Sequence, residues 1–235
     1  MSLNTSDPFD ARRRMTGSRP DFTPARRAFG ASVLTATTAL LASCSIWPTA
    51  PMDGRVRHVL DARPAVATST KRDLLLSVRQ PRAAPGFGTS AILYVREPHV
   101  LDRYATHEWA ETPARMLGPL LVRSLEDADG FSAIVQDPNG LPVDLRLDAE
   151  IVFLRQNFLT RPSVVEFAMR VQLIDVRNRR MLASRYIEFA EPATSDDAGG
   201  GVAAANAAVA RVLTQVVSFC VDATADVHPS RQQLR

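Results

Sequence analysis

Cysteine is nearly absent from this chain. Two among 235 residues, Cys44 and Cys220, permit one internal disulfide at most and exclude a cysteine-stapled scaffold. Histidine is almost as scarce: His58, His99, His107 and His228 are scattered without metal-ligand spacing, and no cysteine–histidine pair has sequence support. No G-x-S-x-G elbow and no Walker A loop is written in the chain, so the nucleophile and phosphate sites those motifs build are missing. A genuine excess of positive charge is missing too. The net charge is +3, but six of the 28 basic and three of the 25 acidic residues lie in residues 1–43, which leaves 22 of each sign in the remainder. Whole-chain basicity is therefore no argument for a nucleic-acid partner.

What the first 50 residues do contain is an ordered set of signals. Arg26-Arg27 precedes an uncharged run over 28–43, diluted by Thr35, Thr37 and Thr38 and shorter than the roughly 20 apolar residues needed to span a bilayer. A basic start, a short apolar run and small residues at its exit form the layout of a secretory signal peptide. The exit, Leu41-Ala42-Ser43-Cys44, resembles the lipobox of bacterial lipoproteins, which implies cleavage before Cys44 and acylation of its thiol. With Cys44 acylated, Cys220 has no internal partner; without acylation, a Cys44–Cys220 bridge is open. Residues 1–25, rich in Ser, Pro, Arg and Asp, read as a long disordered n-region, and Met15 offers an alternative start. Arg26-Arg27-Ala28-Phe29 also resembles a twin-arginine export core, from which Gly30 departs, so the general secretion route is the leading reading. Pro48 and Pro51 make residues 44–55 an extended tether.

Beyond the tether the patterns are those of a folded domain over 56–222, followed by a flexible tail at 223–235. Short strands are expected at 56–60, 73–79, 91–96 and 100–105, the last two forming a hairpin across Glu97-Pro98-His99. Thr112-Pro113 opens a helix with leucines at three- and four-residue spacing and a stop at Gly130; Pro119 implies a later first turn or a kink. After a strand at 131–135, Val143, Leu145, Leu147, Ala149, Ile151 and Phe153 alternate with Asp144, Arg146, Asp148 and Glu150. That alternation gives one dry face and one solvated face. Residues 165–173 repeat the pattern, a last strand spans 181–189, and the Gly-rich stretch 194–200 reads as a loop before a long Ala-rich helix. The expected fold is α+β in two layers, a mostly antiparallel sheet with two amphipathic helices packed on one face.

A family resemblance now becomes specific. Ala84-Pro85-Gly86-Phe87, Ile92-Leu93-Tyr94-Val95-Arg96, Tyr104, Trp109-Ala110, Leu173-Ile174-Asp175-Val176, Met181-Leu182-Ala183, Ala204-Ala205-Asn206-Ala207 and Val212-Leu213 resemble the ABC-type transport auxiliary lipoprotein family. Ser43, the glycine-free turn at 177–180 and Phe219 depart from its usual pattern. The resemblance implies a non-enzymatic subunit without a cofactor or metal. It also implies an MCE-domain protein of a lipid-transport system as partner and attachment to the outer membrane facing the periplasm, with which Ser45 agrees. His107-Glu108-Trp109 reads as a strand end with an anchoring aromatic rather than a site. At 151–154 the alternation breaks, and Phe158 and Leu159 follow it, so the apolar groups at this hairpin tip either complete the core or form a docking surface for the partner. A structural outer-membrane assembly lipoprotein, or one that activates a cell-wall synthase, is the alternative function for the same architecture.

Overall fold

The alternating segments form strands, and the leucine- and alanine-rich segments form helices. In the computed structural model, residues 54–65, 70–137, 140 and 142–227 are described. The leader, residues 41–44, the start of the tether and the tail from His228 lie outside them. The described elements are β1 (Val56–His58), β2 (Arg72–Val78), β3 (Arg82–Ala83), β4 (Ala91–Val95), β5 (Asp102–Trp109), α1 (Pro113–Asp127), β6 (Phe131–Gln136), β7 (Leu145–Asn157), β8 (Val164–Asp175), β9 (Arg180–Pro192) and α2 (Ala198–Ala223). They make an α+β fold, with nine strands in one open, mixed sheet that is mostly antiparallel.

Strand β7 is the axis of the sheet. Along one edge it pairs antiparallel with β8 over its whole length, and β8 pairs with β9 in the same way. Along the other edge β2, β3 and β4 lie end to end, all parallel to it: Leu76–Val78 faces Leu145–Leu147, Arg82 and Ala83 face Glu150 and Ile151, and Tyr94 and Val95 face Gln156 and Asn157. Pro81, Pro85 and Gly86, the last at φ 90°, interrupt this edge, which is why three short pieces stand where one strand would otherwise run. Beyond them, β6 pairs with β2, β5 forms the expected hairpin with β4, and β1 lies parallel to β5.

Alternation along β7 fails at one point. Ile151 faces Met169 but Phe153 faces Ala168, so Val152 is an extra residue, a β-bulge. The broken pattern at 151–154 is this bulge. Phe153 is thereby placed against Phe87 and Arg155, whereas Leu154 returns to the core.

The dry face, with Leu147, Ile151, Phe167, Met169 and Leu173 wholly buried, is closed by the helices. Helix α2 packs on β8 and β9, and α1 packs on β6, β2 and α2. The α2 helix is long and apolar enough to cross a membrane, but its apolar side belongs to this core. Arg211 stacks on Phe189 and Arg185 on Phe219, at 4.6 and 5.1 Å, which fastens α2 across β9.

Several local expectations are corrected. The α1 helix starts at Pro113 and contains Pro119, so the later-start reading fails. Thr112 makes no side-chain cap; its carbonyl instead accepts from Arg115 and Met116. Asp129, at φ 48°, rather than Gly130 takes the left-handed turn that ends α1, and its carboxylate meets Lys71. The glycines of 199–201 are not loop but the first turn of α2, capped by the Asp197 carboxylate on the Gly200 N–H at 2.8 Å. The polar face of β7 is not freely solvated. Asp148 pairs with Arg79 and Arg146 at 3.3 and 3.0 Å, Glu150 pairs with Arg170, and Asp144 lies before β7 and accepts the Leu75 N–H at 2.7 Å. The packed structure continues past α2, where Thr224 is buried and Val227 packs on the core.

Glycine is required at the α2 entry by close approach. A Cβ on Gly201 would lie 2.1 Å from Oε1 of Gln156, which is 2% exposed. Gly201→Ala should destabilise the domain by about 1–3 kcal/mol through overpacking, read as a lower urea midpoint.

Candidate docking surface at the tip of the sheet

The pairing of β4 with the end of β7 brings two loops side by side, the β4–β5 turn over 96–101 and the β7–β8 loop over 158–163. The Phe158 N–H donates to the Val95 carbonyl at 2.8 Å and joins them. In the turn, the Val100 N–H donates to the Glu97 carbonyl at 3.1 Å. Pro98 fixes the first corner and His99 supplies the second at φ 67°, as a type II turn needs.

The structure separates the two residues expected to dock. Phe158 is half-buried: its ring meets Tyr94 edge-on at 5.9 Å, and the Arg96 guanidinium lies 5.0 Å from its centre and 4.9 Å from that of Tyr94. Leu159 is 49% exposed, beside Val100 at 48% and Leu101 at 42%. These three side chains line an open cleft of about 320 Å³ with Val95, Pro98 and Asn157. Val100 and Leu101, read from sequence as ordinary strand residues, are the part of this surface that the sequence missed. Their adjacency to a type II turn signal was the available clue.

Beneath the apolar tip is a polar network. Tyr94 meets Tyr104 edge-on at 5.0 Å, and its hydroxyl donates to Asp102 at 3.0 Å. Burial, then the Asp102 contact, raises the Tyr94 hydroxyl. The Arg103 N–H, then the Tyr94 hydroxyl, lowers Asp102. The Tyr104 hydroxyl donates to Gln156 at 2.8 Å, and burial pushes it up to about 12. The Gln156 amide donates in turn to the Ser163 hydroxyl at 2.9 Å, and the Ser163 N–H donates to Asp196 at 2.8 Å. Backbone and hydroxyl donation from Ser163 lowers Asp196. Buried Gln156 is thus bonded by Tyr104 of β5 and Ser163 of the β7–β8 loop, and Ser163 in turn meets Asp196, which holds the tip to the start of α2.

The remaining sequence candidates are placed as follows. Cys44, Leu41, Ala42 and Ser43 lie outside the described residues. Trp109 is buried and anchors the end of β5, and its neighbour Glu108 pairs with Arg55 and Arg57. His107 and His58 meet ring to ring, with Nε2 of His58 2.9 Å from Nδ1 of His107, a contact that needs one donor and one acceptor and so leaves at least one ring neutral. Among the described residues no three His, Cys, Asp or Glu side chains gather as metal ligands. The Cys220 thiol is buried, and desolvation pushes it up to about 12.

Two measurements follow from these groups. Cys220 should resist alkylation in the folded domain and react promptly on denaturation, as a thiol assay would show. Burial, then His107, holds His58 below its ordinary 6.5. A lowered histidine binds protons less readily folded than unfolded, so its full contribution is present above 6.5 and is lost as pH falls from there through its folded value. The urea midpoint of His58→Gln should therefore fall less steeply with acid than that of the wild type. Equal slopes would exclude this pair as a source of acid sensitivity.

The comparisons agree with this architecture. A search among curated proteins finds no match. The solved structure of XCC0632 from Xanthomonas campestris, a DUF330 protein, superposes with a TM-score of 0.61 at 22% identity, covering 72% of this chain and 93% of its own. The hypothetical protein CT253 from Chlamydia trachomatis superposes at 0.50 with 10% identity, covering 65% of this chain and 98% of its own. At such identities the shared property is the fold. The family model for the ABC-type transport auxiliary lipoprotein component matches residues 58–217, from β1 into the last turns of α2, and the chain belongs to that family.

Proposed function

We propose that this chain is a non-enzymatic lipoprotein subunit of an MCE/ABC-type lipid-transport system, acylated at Cys44 and held at the outer membrane with its domain facing the periplasm. The family match across nearly the whole described domain is the observation that carries this reading. The lipobox-like 41–44 stretch a few residues before that domain supports it. One acyl chain binds a membrane only marginally, whereas two or more give stable anchoring, so the covalent fate of Cys44 decides where the domain works. Residues 44–55 at about 3.3–3.6 Å each reach on the order of 40 Å, which keeps the domain near the surface it is anchored to. Energy for transport comes from an ATPase elsewhere in the system, and this subunit supplies position and contact to the MCE-domain partner.

The test is twofold. Radiolabelled palmitate should enter the wild-type protein and not Cys44→Ala, which should leave the outer-membrane fraction. Affinity capture of the wild type from membranes should recover an MCE-domain protein. Recovery of a porin-like barrel or a peptidoglycan synthase in its place would favour the assembly or synthase-activating alternative.

A further inference from the structure

Strand β9 is an outer edge of the sheet. It pairs with β8 along one side and, among the described residues, with no strand on the other. At 13 residues it is long beside the outer strands β6, of 6, and β1, of 3. Which of its groups point outward follows from the register. The Ala193 N–H donates to the Ser163 carbonyl at 2.8 Å, and in step with that pair Val165 faces Glu191, Phe167 faces Phe189 and Met169 faces Ile187. Odd-numbered residues of this stretch therefore bond to β8, and the N–H and C=O groups of Ser184, Tyr186, Glu188 and Ala190 point away from the sheet. All four of those residues are exposed.

Pro192 closes one end of the edge, and a bulge at Leu182 interrupts the other. Residues 183–191 between them hold no proline or glycine, so nothing in the backbone guards this stretch against a further strand. Its charges select the strand that fits. From 177 to 197 every basic side chain, Arg177, Arg179, Arg180 and Arg185, precedes Tyr186, and every acidic one, Glu188, Glu191, Asp196 and Asp197, follows Ile187. Some of these also serve the domain: Arg177 meets Asp144, Glu191 meets Arg211, Asp196 accepts the Ser163 N–H and Asp197 caps α2. A segment ordered by sign in this way is complementary to itself when a second copy lies antiparallel to it. A parallel copy sets arginine on arginine and glutamate on glutamate.

We propose that β9 is the contact between two copies of this chain, which pair β9 to β9 antiparallel across a twofold axis at Ile187 and join their sheets. At that register Ser184 exchanges backbone hydrogen bonds with Ala190 of the second copy, and Tyr186 does so with Glu188 of the second copy. The Tyr186 hydroxyl, which donates to Glu188 of its own strand at 2.9 Å, then faces a second carboxylate across the seam. Arg185 lies diagonal to Glu191 of the second copy. The contact uses neither the anchor nor the tip, so it stands or falls separately from the function proposed above.

The test uses the full chain in intact cells under mild oxidation. Tyr186→Cys should give a disulfide-linked dimer severalfold above the wild-type level, which itself reports any linkage through Cys44; Cys220 is buried. Arg179→Cys, also at an exposed position, should stay at the wild-type level. Antiparallel pairing at about 3.4 Å per residue sets the two copies of position 179 on the order of 50 Å apart. Adding Ser184→Pro to Tyr186→Cys should remove most of the dimer at an unchanged urea midpoint, because the ring deletes an outward N–H and no bond to β8. Adding Glu188→Arg in its place should lower the dimer severalfold without touching the backbone. Equal linkage at positions 179 and 186 would overturn the proposal. So would a Tyr186→Cys chain that stays at the wild-type level, or a dimer that survives both added substitutions.

Discussion

Backbone pairing on both edges of β7 is the constraint from which the rest of the molecule follows. One edge is satisfied by a single long partner, β8, and the other by three short ones, β2, β3 and β4. Each buried N–H and C=O needs a partner, so the chain from 72 to 95 has to track β7 despite the prolines and glycine that keep it from being one strand. Its last piece, β4, meets the end of β7, and this alone brings the β4–β5 turn beside the β7–β8 loop. The tip is a by-product of that register.

The bulge at Val152 is the second determinant. One extra residue exchanges the two faces of β7 for the remainder of the strand, which sends Phe153 to the outer face and Gln156 inward. A buried amide is tolerated where its oxygen and its nitrogen both find partners, and here Tyr104 and Ser163 supply them. The same amide leaves no room for a side chain at 201, so glycine stands there in the first turn of α2, which Asp197 caps. A bulge, a polar contact and a glycine are thus parts of one solution.

Much of this was legible beforehand. The alternation at 145–153 and 165–173 identified the central hairpin, because a period of two is unambiguous when one face is buried. The three- and four-residue spacings found both helices for the same reason. Thr112 misled because a hydroxyl in the right position does not oblige it to cap. Asp144–Glu150 misled because alternation reports polarity, and ion pairs between neighbouring strands half-bury a face that the pattern reads as wet. The parallel partners of β7 left no periodic signature, since pairing between segments some seventy residues apart is decided by closure of the whole sheet.

From sequence alone came the expectation of an export leader and of acylation at Cys44, the neutrality of the chain that follows residue 43, the α+β class and the family resemblance. These are local properties: charge order, short spacing and single-strand periodicity are complete within a few residues. The neighbourhood of Val100, Leu101 and Leu159, and the side from which the chain enters β1, belong to the tertiary structure. They depend on register between distant strands, and register is set by the joint burial of both faces and the saturation of every backbone bond, which no single segment carries.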